Sequence, residues 1–318
     1  MPVLSRFPHP RPYALAAVLS LAAFVTGCGD SSDGAPPAPA ATSSEVTVPV
    51  SAVTTTVSEA GSEPREVVRI APVARQEQNV VLTTRSEVFQ QIGSEPRQDF
   101  STPEVTLPLT ATVTQAVSDS APSTLVDITV GEATSPDPML GSSLADATGS
   151  RAGLTIGPTG AISALRLAPS VETANIARSA IEQAFYQSVY RTISFPDSEI
   201  GVGAVWQIHQ QVMSAGVTID QRSTATLVSR DGDRLTVDVR VEQTPRESVW
   251  MLPNGQGQLD IEQYTMAGEG AVTFDPALPL PVDGALVLSG DQVYVDPEGT
   301  TRLAQSQVDR VEWHSPEN

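Results

Sequence analysis

The chain has 318 residues, 37 of them acidic and 18 basic, for a net charge of −19. An acidic excess of this size excludes nucleic acid as a partner, because phosphate backbones are held by clustered cations. One cysteine, three histidines and no lysine exclude a disulfide framework, a paired-cysteine metal site, a Walker phosphate loop and a Schiff base.

Arg6 and Arg11, with no acidic residue near them, lead into an apolar run over 13–25 that ends in Val25-Thr26-Gly27-Cys28. A helix needs about 20 apolar residues to cross a bilayer, so this shorter run with small residues at its end is expected to be a signal peptide, residues 1–27. The ending resembles the bacterial lipobox, in which the cysteine thiol receives a diacylglycerol and becomes the first mature residue. That resemblance implies lipid attachment at Cys28 and an exported protein moored to the outer face of the cytoplasmic membrane or within the cell envelope. Two acyl chains hold a protein stably on a bilayer, whereas one is marginal. Removal of Arg6 and Arg11 leaves 16 basic against 37 acidic residues, a mature charge of −21. With Cys28 acylated no thiol remains for a disulfide, so stability must come from apolar packing.

Residues 28–52 carry Cys28 and a Ser, Pro, Ala and Asp stretch without apolar periodicity, which reads as a disordered tether with a reach of about 25–30 Å. From there the chain alternates like half-buried strands. A first β unit is expected over 53–168, a connecting helix over 169–193 and a second β unit over 194–318. Ala177, Ile181, Ala184, Phe185, Ser188 and Val189 recur at three- and four-residue intervals, which predicts a helix over 171–192, capped by Ser170 and closed by Pro196. The clearest hairpin joins 218–229 to 234–243 through Arg230-Asp231-Gly232-Asp233, with Leu235, Val237, Val239 and Val241 on one face. The stretches 135–150 and 244–258 read as long loops.

The two strand sets echo each other. Residues 89–92 match 209–212, 110–113 match 224–227, 126–130 match 237–241, and 154–158 match 272–276, all in one order. The expected fold is mainly β: a curved antiparallel sheet or open barrel of two duplicated units, with one long central helix on its concave face.

Chemistry is sparsely marked. His9 is lost with the signal peptide and His314 lies near the C-terminus. His209 alternates with Gln207 and Gln211 on a polar face, the pattern of an ordinary surface histidine. No nucleophile elbow, His-Glu-x-x-His pair or marked carboxylate pair occurs. Asp231 with Asp233, and Asp291 with Asp296 and Glu298, lack the spacing of a calcium loop. No catalytic residue, cofactor or metal is expected.

The sharpest signature is Phe195-Pro196-Asp197-Ser198-Glu199-Ile200-Gly201-Val202-Gly203-Ala204-Val205-Trp206, where glycines let the backbone turn and Trp206 supplies a buried wedge. With Gly61-Ser62-Glu63-Pro64-Arg65 and Leu227-Val228-Ser229-Arg230-Asp231-Gly232-Asp233, it resembles an uncharacterised family of secreted bacterial, mostly actinobacterial, lipoproteins over about 53–313. Strands of that family are often rich in methionine, and here they carry Thr, Val and Pro. The resemblance implies a fold and an address, not a reaction. A looser architectural likeness is to LolA-like lipid carriers. The resulting expectation is a non-enzymatic envelope lipoprotein that binds an apolar or amphiphilic ligand. Ile181, Phe185 and Val189 of the helix would face Val126, Ile128, Val237 and Val239 across a pocket. The alternative is a scaffold that contacts a protein partner, not identified by the sequence, through sheet edges or an acidic face.

Overall fold

A computed structural model describes residues 45–118, 121–170, 172–252, 255 and 257–316. The signal segment, Cys28 and most of the tether lie outside the described residues. In chain order the elements are β1 (Val46–Pro49), β2 (Val53–Glu59), β3 (Glu77–Ile92), β4 (Gln98–Asp99), β5 (Thr102–Gln115), β6 (Thr124–Val130), α1 (Pro138–Leu144), β7 (Arg151–Ile156) and β8 (Ile162–Ala168). They continue as α2 (Asn175–Val189), β9 (Val205–Ser214), β10 (Val217–Asp231), β11 (Arg234–Pro245), β12 (Val249–Met251), β13 (Gln258–Tyr264), β14 (Ala267–Phe274), β15 (Asp283–Val295) and β16 (Arg302–His314).

The fold is mainly β. The strands form one antiparallel sheet that does not close, in the order β1-β8-β7-β6-β5-β3-β16-β15-β14-β11-β10-β9-β2, with the short β4 on β3 and the β12–β13 pair on β15. Each half is a meander, and the two halves join where β16 pairs with β3 from Leu303 opposite Ile92 to His314 opposite Val81. The two outermost strands are consecutive in the chain. β1 pairs with β8 and β2 with β9, and only residues 50–52 separate them. Four residue steps span at most about 14 Å, so the two edges of the sheet are drawn close together. The last part of the stretch expected as a tether over 28–52 is thus a strand, Val46–Pro49. Val46 and Val48 alternate with Thr47 and Pro49, and this stretch gains β8 as a partner that could not be read locally.

The alternation of β5 shows why these segments are strands. Val105, Leu107, Leu109, Ala111 and Val113 are buried while the threonines between them face out. The hairpin at 231–234 stands as expected. Asp231 pairs with Arg234, Gly232 takes φ +60°, and Leu235, Val237, Val239 and Val241 are buried.

The echoes can be compared with the register. Ala111 opposes Ile128 and Val113 opposes Val126, as Ala225 opposes Val239 and Leu227 opposes Val237. Val126 opposes Leu154, as Val237 opposes Val272. Three of the four echoes thus occupy matching positions in the two meanders. The first does not. Ala111 pairs with Gln78 and Ala225 with Trp206, so Gln78, not a residue near 86, is the counterpart of Trp206.

Two helices replace the single long one expected over 169–193. The second, α2, runs only from Asn175 to Val189 with no side-chain cap at Ala174. The Ser170 hydroxyl instead accepts from the Glu172 N–H, which makes a turn before the helix, and Tyr190 leaves helical geometry ahead of β-branched Thr192 and Ile193. The stretch read as a loop over 135–150 contains α1. Asp137 caps it through the N–H groups of Met139 and Leu140, and Pro138 holds the first helical position. The other expected loop, 244–258, contains β12, which pairs with β13.

Two separate apolar clusters form the interior. In the first, Ala177, Ala180, Ile181, Ala184, Phe185 and Val189 of α2 pack on the core face of β3, β5, β6, β7 and β8. In the second no helix takes part. Irregular residues Val68, Ile70, Ile193, Phe195, Ile200 and Ala204 cover Trp206, Leu227, Leu235, Val237 and their neighbours. Trp206 is fully buried, donates to the Ser194 carbonyl at 2.9 Å and lies 5.8 Å from the Phe195 ring. The glycines beside it serve close backbone approach. A Cβ on Gly201 would collide with the Ser62 carbonyl, and one on Gly61, at φ +76°, with the Gly201 carbonyl.

Candidate functional site

The seven residues expected to line one pocket are all buried, but they fall into two groups. Ile181, Phe185, Val189, Val126 and Ile128 belong to the first cluster, and Val237 and Val239 to the second. The helix packs against α1, β3, β5 and β8. These side chains fill a core, as close-packed interiors do. An apolar cavity of about 30 Å³ lies between the clusters, lined by Val189, Ile193, Leu154, Phe274, Leu280 and Trp313 among others. A drug-sized ligand needs a cavity of about 300–1,000 Å³.

Polar side chains, not apolar ones, make the distinctive constellation on the core face. Gln210 of β9 lies opposite Gln221 of β10, and Gln221 opposite Gln243 of β11. On the far side of β14, Tyr264 lies opposite Gln292 of β15, Gln292 opposite Gln305 of β16, and Gln305 opposite Gln90 of β3. The Tyr264 hydroxyl, 3.4 Å from Gln243 Oε1, closes the remaining gap. Six glutamines and a tyrosine thus form a belt across neighbouring strands. Beyond it β10, β12, β15 and β16 bury a smaller set that includes Val217, Ile219, Trp250, Tyr294 and Leu303.

The belt is internally bonded. Gln90 Nε2 donates to Gln305 Oε1 at 2.8 Å, Gln243 Nε2 to Gln221 Oε1 at 2.9 Å, and Gln221 Nε2 to the Tyr190 carbonyl at 3.0 Å. Gln305 Nε2 reaches Gln292 and Gln307, and the Tyr294 hydroxyl donates to Gln292 Oε1 at 2.6 Å. Gln307 Nε2 then donates to Asp309 Oδ2 at 2.9 Å, and the Ser86 hydroxyl to Asp309 Oδ1 at 2.6 Å. A carboxylate only accepts, so Asp309 sets the direction of these bonds.

Asp309 also faces Arg191, which lies just past the end of α2. Their side chains are 8% and 7% exposed, and Arg191 Nη2 donates to Asp309 Oδ2 at 3.4 Å. Arg191 Nε is buried without an acceptor. Burial lowers the basicity of Arg191, against the attraction of Asp309 that raises it. Burial likewise pushes the Tyr294 phenol up to about 12 and the Tyr264 phenol higher still, so both are neutral donors at physiological pH. Gln90, Gln221 and Gln292 are buried, whereas Gln210, Gln243, Gln305, Gln307 and Tyr264 are partly exposed.

His209 pairs with Thr54 and Arg222, on the opposite face from Gln210. Among the described residues no group of three or more His, Cys, Asp or Glu side chains could hold a metal. Asp296 accepts from Thr300 and Thr301 in its own turn, and these bonds lower its pKa to about 2. No described helix is long and apolar enough to cross a membrane.

No protein-family profile matches this chain, and no curated protein matches it. Among solved structures it is similar to in-vitro folded OmpT, an outer membrane protein of Vibrio cholerae in trimer form, at 9% identity over 75% of this chain and 100% of that chain. The TM-score of 0.16 is too low to carry any argument.

Glutamine marks no motif, so the belt does not stand out as a site in the sequence. A signal was nonetheless present. In each of β9, β10 and β11, the core-face row that carries Ile208, Ile219 and Val241 continues two residues later into Gln210, Gln221 and Gln243.

Proposed function

We propose that this chain is an exported envelope lipoprotein, anchored through acylated Cys28, that binds a ligand and does not catalyse a reaction. It belongs on this reading with the secreted lipoproteins whose Pro, acidic, Gly-x-Gly-Ala and Trp signature it shares, and its two meanders descend from one duplicated unit. The matching register of β5, β6 and β7 with β10, β11 and β14 supports the duplication.

The observation that carries ligand binding is the belt. Six glutamines on six strands and Tyr264 on a seventh share one level of the core face, and four of these side chains, Gln210, Gln243, Gln305 and Tyr264, remain partly exposed. Proteins bury polar groups on this scale only where hydrogen bonds compensate for desolvation. Among amphiphilic ligands, the polar portion would engage the belt, while the packed clusters leave little room for an acyl chain in this conformation.

The test is to purify the full chain from membranes in detergent and analyse it by mass spectrometry. A diacylglycerol on Cys28 and a stoichiometric co-purified molecule are expected, and Cys28→Ala should release the protein from the membrane fraction. An unmodified Cys28 on a chain that retains Met1 would end the anchoring proposal. A preparation with nothing bound would end the ligand proposal.

A scaffold role is the second reading. Among the described residues the outer edges of β1 and β2 are unpaired in the sheet, and the strands are largely exposed. In-cell cross-linking at Thr47 and Thr54 that recovers one defined protein would favour it over ligand binding.

A further inference from the structure

We infer that the belt is a subsite for a neutral, oxygen-rich ligand of the polyhydroxylated class, a glycan or the sugar headgroup of an amphiphile; this rests on the ligand-binding reading above. A glutamine amide carries two N–H groups. Gln243 and Gln307 each use one of them, toward Gln221 and Asp309, and both side chains are partly exposed.

Arg191 adds to the surplus. Among the described residues Asp309 is the sole side-chain acceptor for its guanidinium, through Nη2, and the buried Nε has none. A buried donor left unmatched costs more than a formed bond returns, so a network that only held strands together would gain by matching it. The belt instead has spare donors, and a ligand that supplies oxygen acceptors complements it.

Charge narrows the class. Arg191 is already paired with Asp309, so the belt presents no net cation. The acidic surplus of the chain repels polyanions. Carboxylate- and phosphate-rich ligands are therefore disfavoured, and neutral hydroxyl and ether oxygens remain. Hydroxyl groups both donate and accept, which suits amide side chains that offer both functions within a few ångströms.

The experiment uses the full chain in detergent on an array of immobilised neutral and uronic-acid oligosaccharides, followed by calorimetric titration with the best neutral glycan found. Binding to neutral glycans in preference to uronic-acid ones is expected. Gln243→Ala with Gln307→Ala should weaken it by about tenfold, the scale of one or two neutral hydrogen bonds. Tyr264→Phe removes a single oxygen and should weaken it by a few-fold, about half that free energy. Circular dichroism and the melting temperature of each variant report folding separately from binding. Preference for uronic-acid glycans, absence of glycan binding, or equal affinity in wild type and a folded Tyr264→Phe variant would overturn the inference. A co-purified ligand without sugar that is lost from the Gln243→Ala, Gln307→Ala protein would overturn the glycan class while leaving ligand binding in place.

Discussion

The two meanders solve the same packing problem with different parts. In the first, β5 to β8 present apolar core faces and α2 covers them, so Phe185 and Ile181 sit where a helix can deliver large side chains at regular intervals. In the second, β9 to β11 with β14 and β15 are covered by irregular chain near Phe195 and Ile200, and β9, β10, β11 and β15 run on into the glutamine belt. β6, β7 and β8 span six or seven residues, whereas β10, β11, β15 and β16 span twelve to fifteen. A shared pairing pattern can thus carry two interiors, one covered by a helix and one covered by irregular chain, whose strands change character along their length.

The strongest test of this division is to empty each cluster in turn. Trp206→Ala in the second and Phe185→Ala in the first should each cost about 3–5 kcal/mol, read from denaturant unfolding. Because the clusters are distinct, the double variant should lose the sum to within about 0.5 kcal/mol, provided unfolding stays two-state. A marked departure from additivity would mean that the clusters act as one core.

The ion pair at the end of α2 gives the next largest effect. Arg191→Met alone leaves Asp309 buried without its cation and should destabilise by about 3 kcal/mol. Combined with Asp309→Leu, much of that loss should return, since a buried pair is often replaceable by apolar side chains. A double variant as unstable as the single one would assign the cost to the lost bonds of Ser86 and Gln307 instead.

Within the belt, Gln292→Leu removes the acceptor of the Tyr294 hydroxyl and should cost about 1–3 kcal/mol. The same substitution at Gln210, which is partly exposed and bonds the Ser51 carbonyl at 3.2 Å, should cost about 1 kcal/mol or less. Equal losses would remove the distinction drawn between buried and open parts of the belt.

The smallest effect concerns alkali. The folded-state phenol pKa of Tyr294 is raised from 10 to about 12, so its contribution to stability is complete below pH 10 and is lost as pH rises through 12. Ultraviolet titration should show part of the tyrosine absorbance change delayed to that range, and unfolding should set in there. Phe substitution at Tyr294 should remove part of the delayed change. Tyrosines of the first half, Tyr186 and Tyr190, are raised by partial burial as well.

Much of the strand framework was legible because side-chain alternation is local. The 231–234 hairpin needed only Asp-Gly between two alternating runs, and Trp206 announced itself as a buried wedge beside its glycines. The extent of α2 was less legible. Ser170 could cap a helix or make a turn, and only the path of the chain from β8 decides between them. The pairing of 46–49 was hidden for a similar reason, because its partner β8 lies more than a hundred residues away. The expected pocket failed to assemble because apolar periodicity tells which face is buried but not which faces meet.

By itself, then, the sequence determined an acidic, cysteine-poor chain with β alternation, one helical segment of clear period and a hairpin fixed by its turn, since each depends on residues close together in the chain. Tertiary structure alone decided that two apolar clusters form instead of one pocket, that the outermost strands are consecutive, and that glutamines scattered from 90 to 305 stand level across the sheet. The physical reason is register: cross-strand pairing brings distant residues side by side, and a shift of one position would turn each glutamine to the other face.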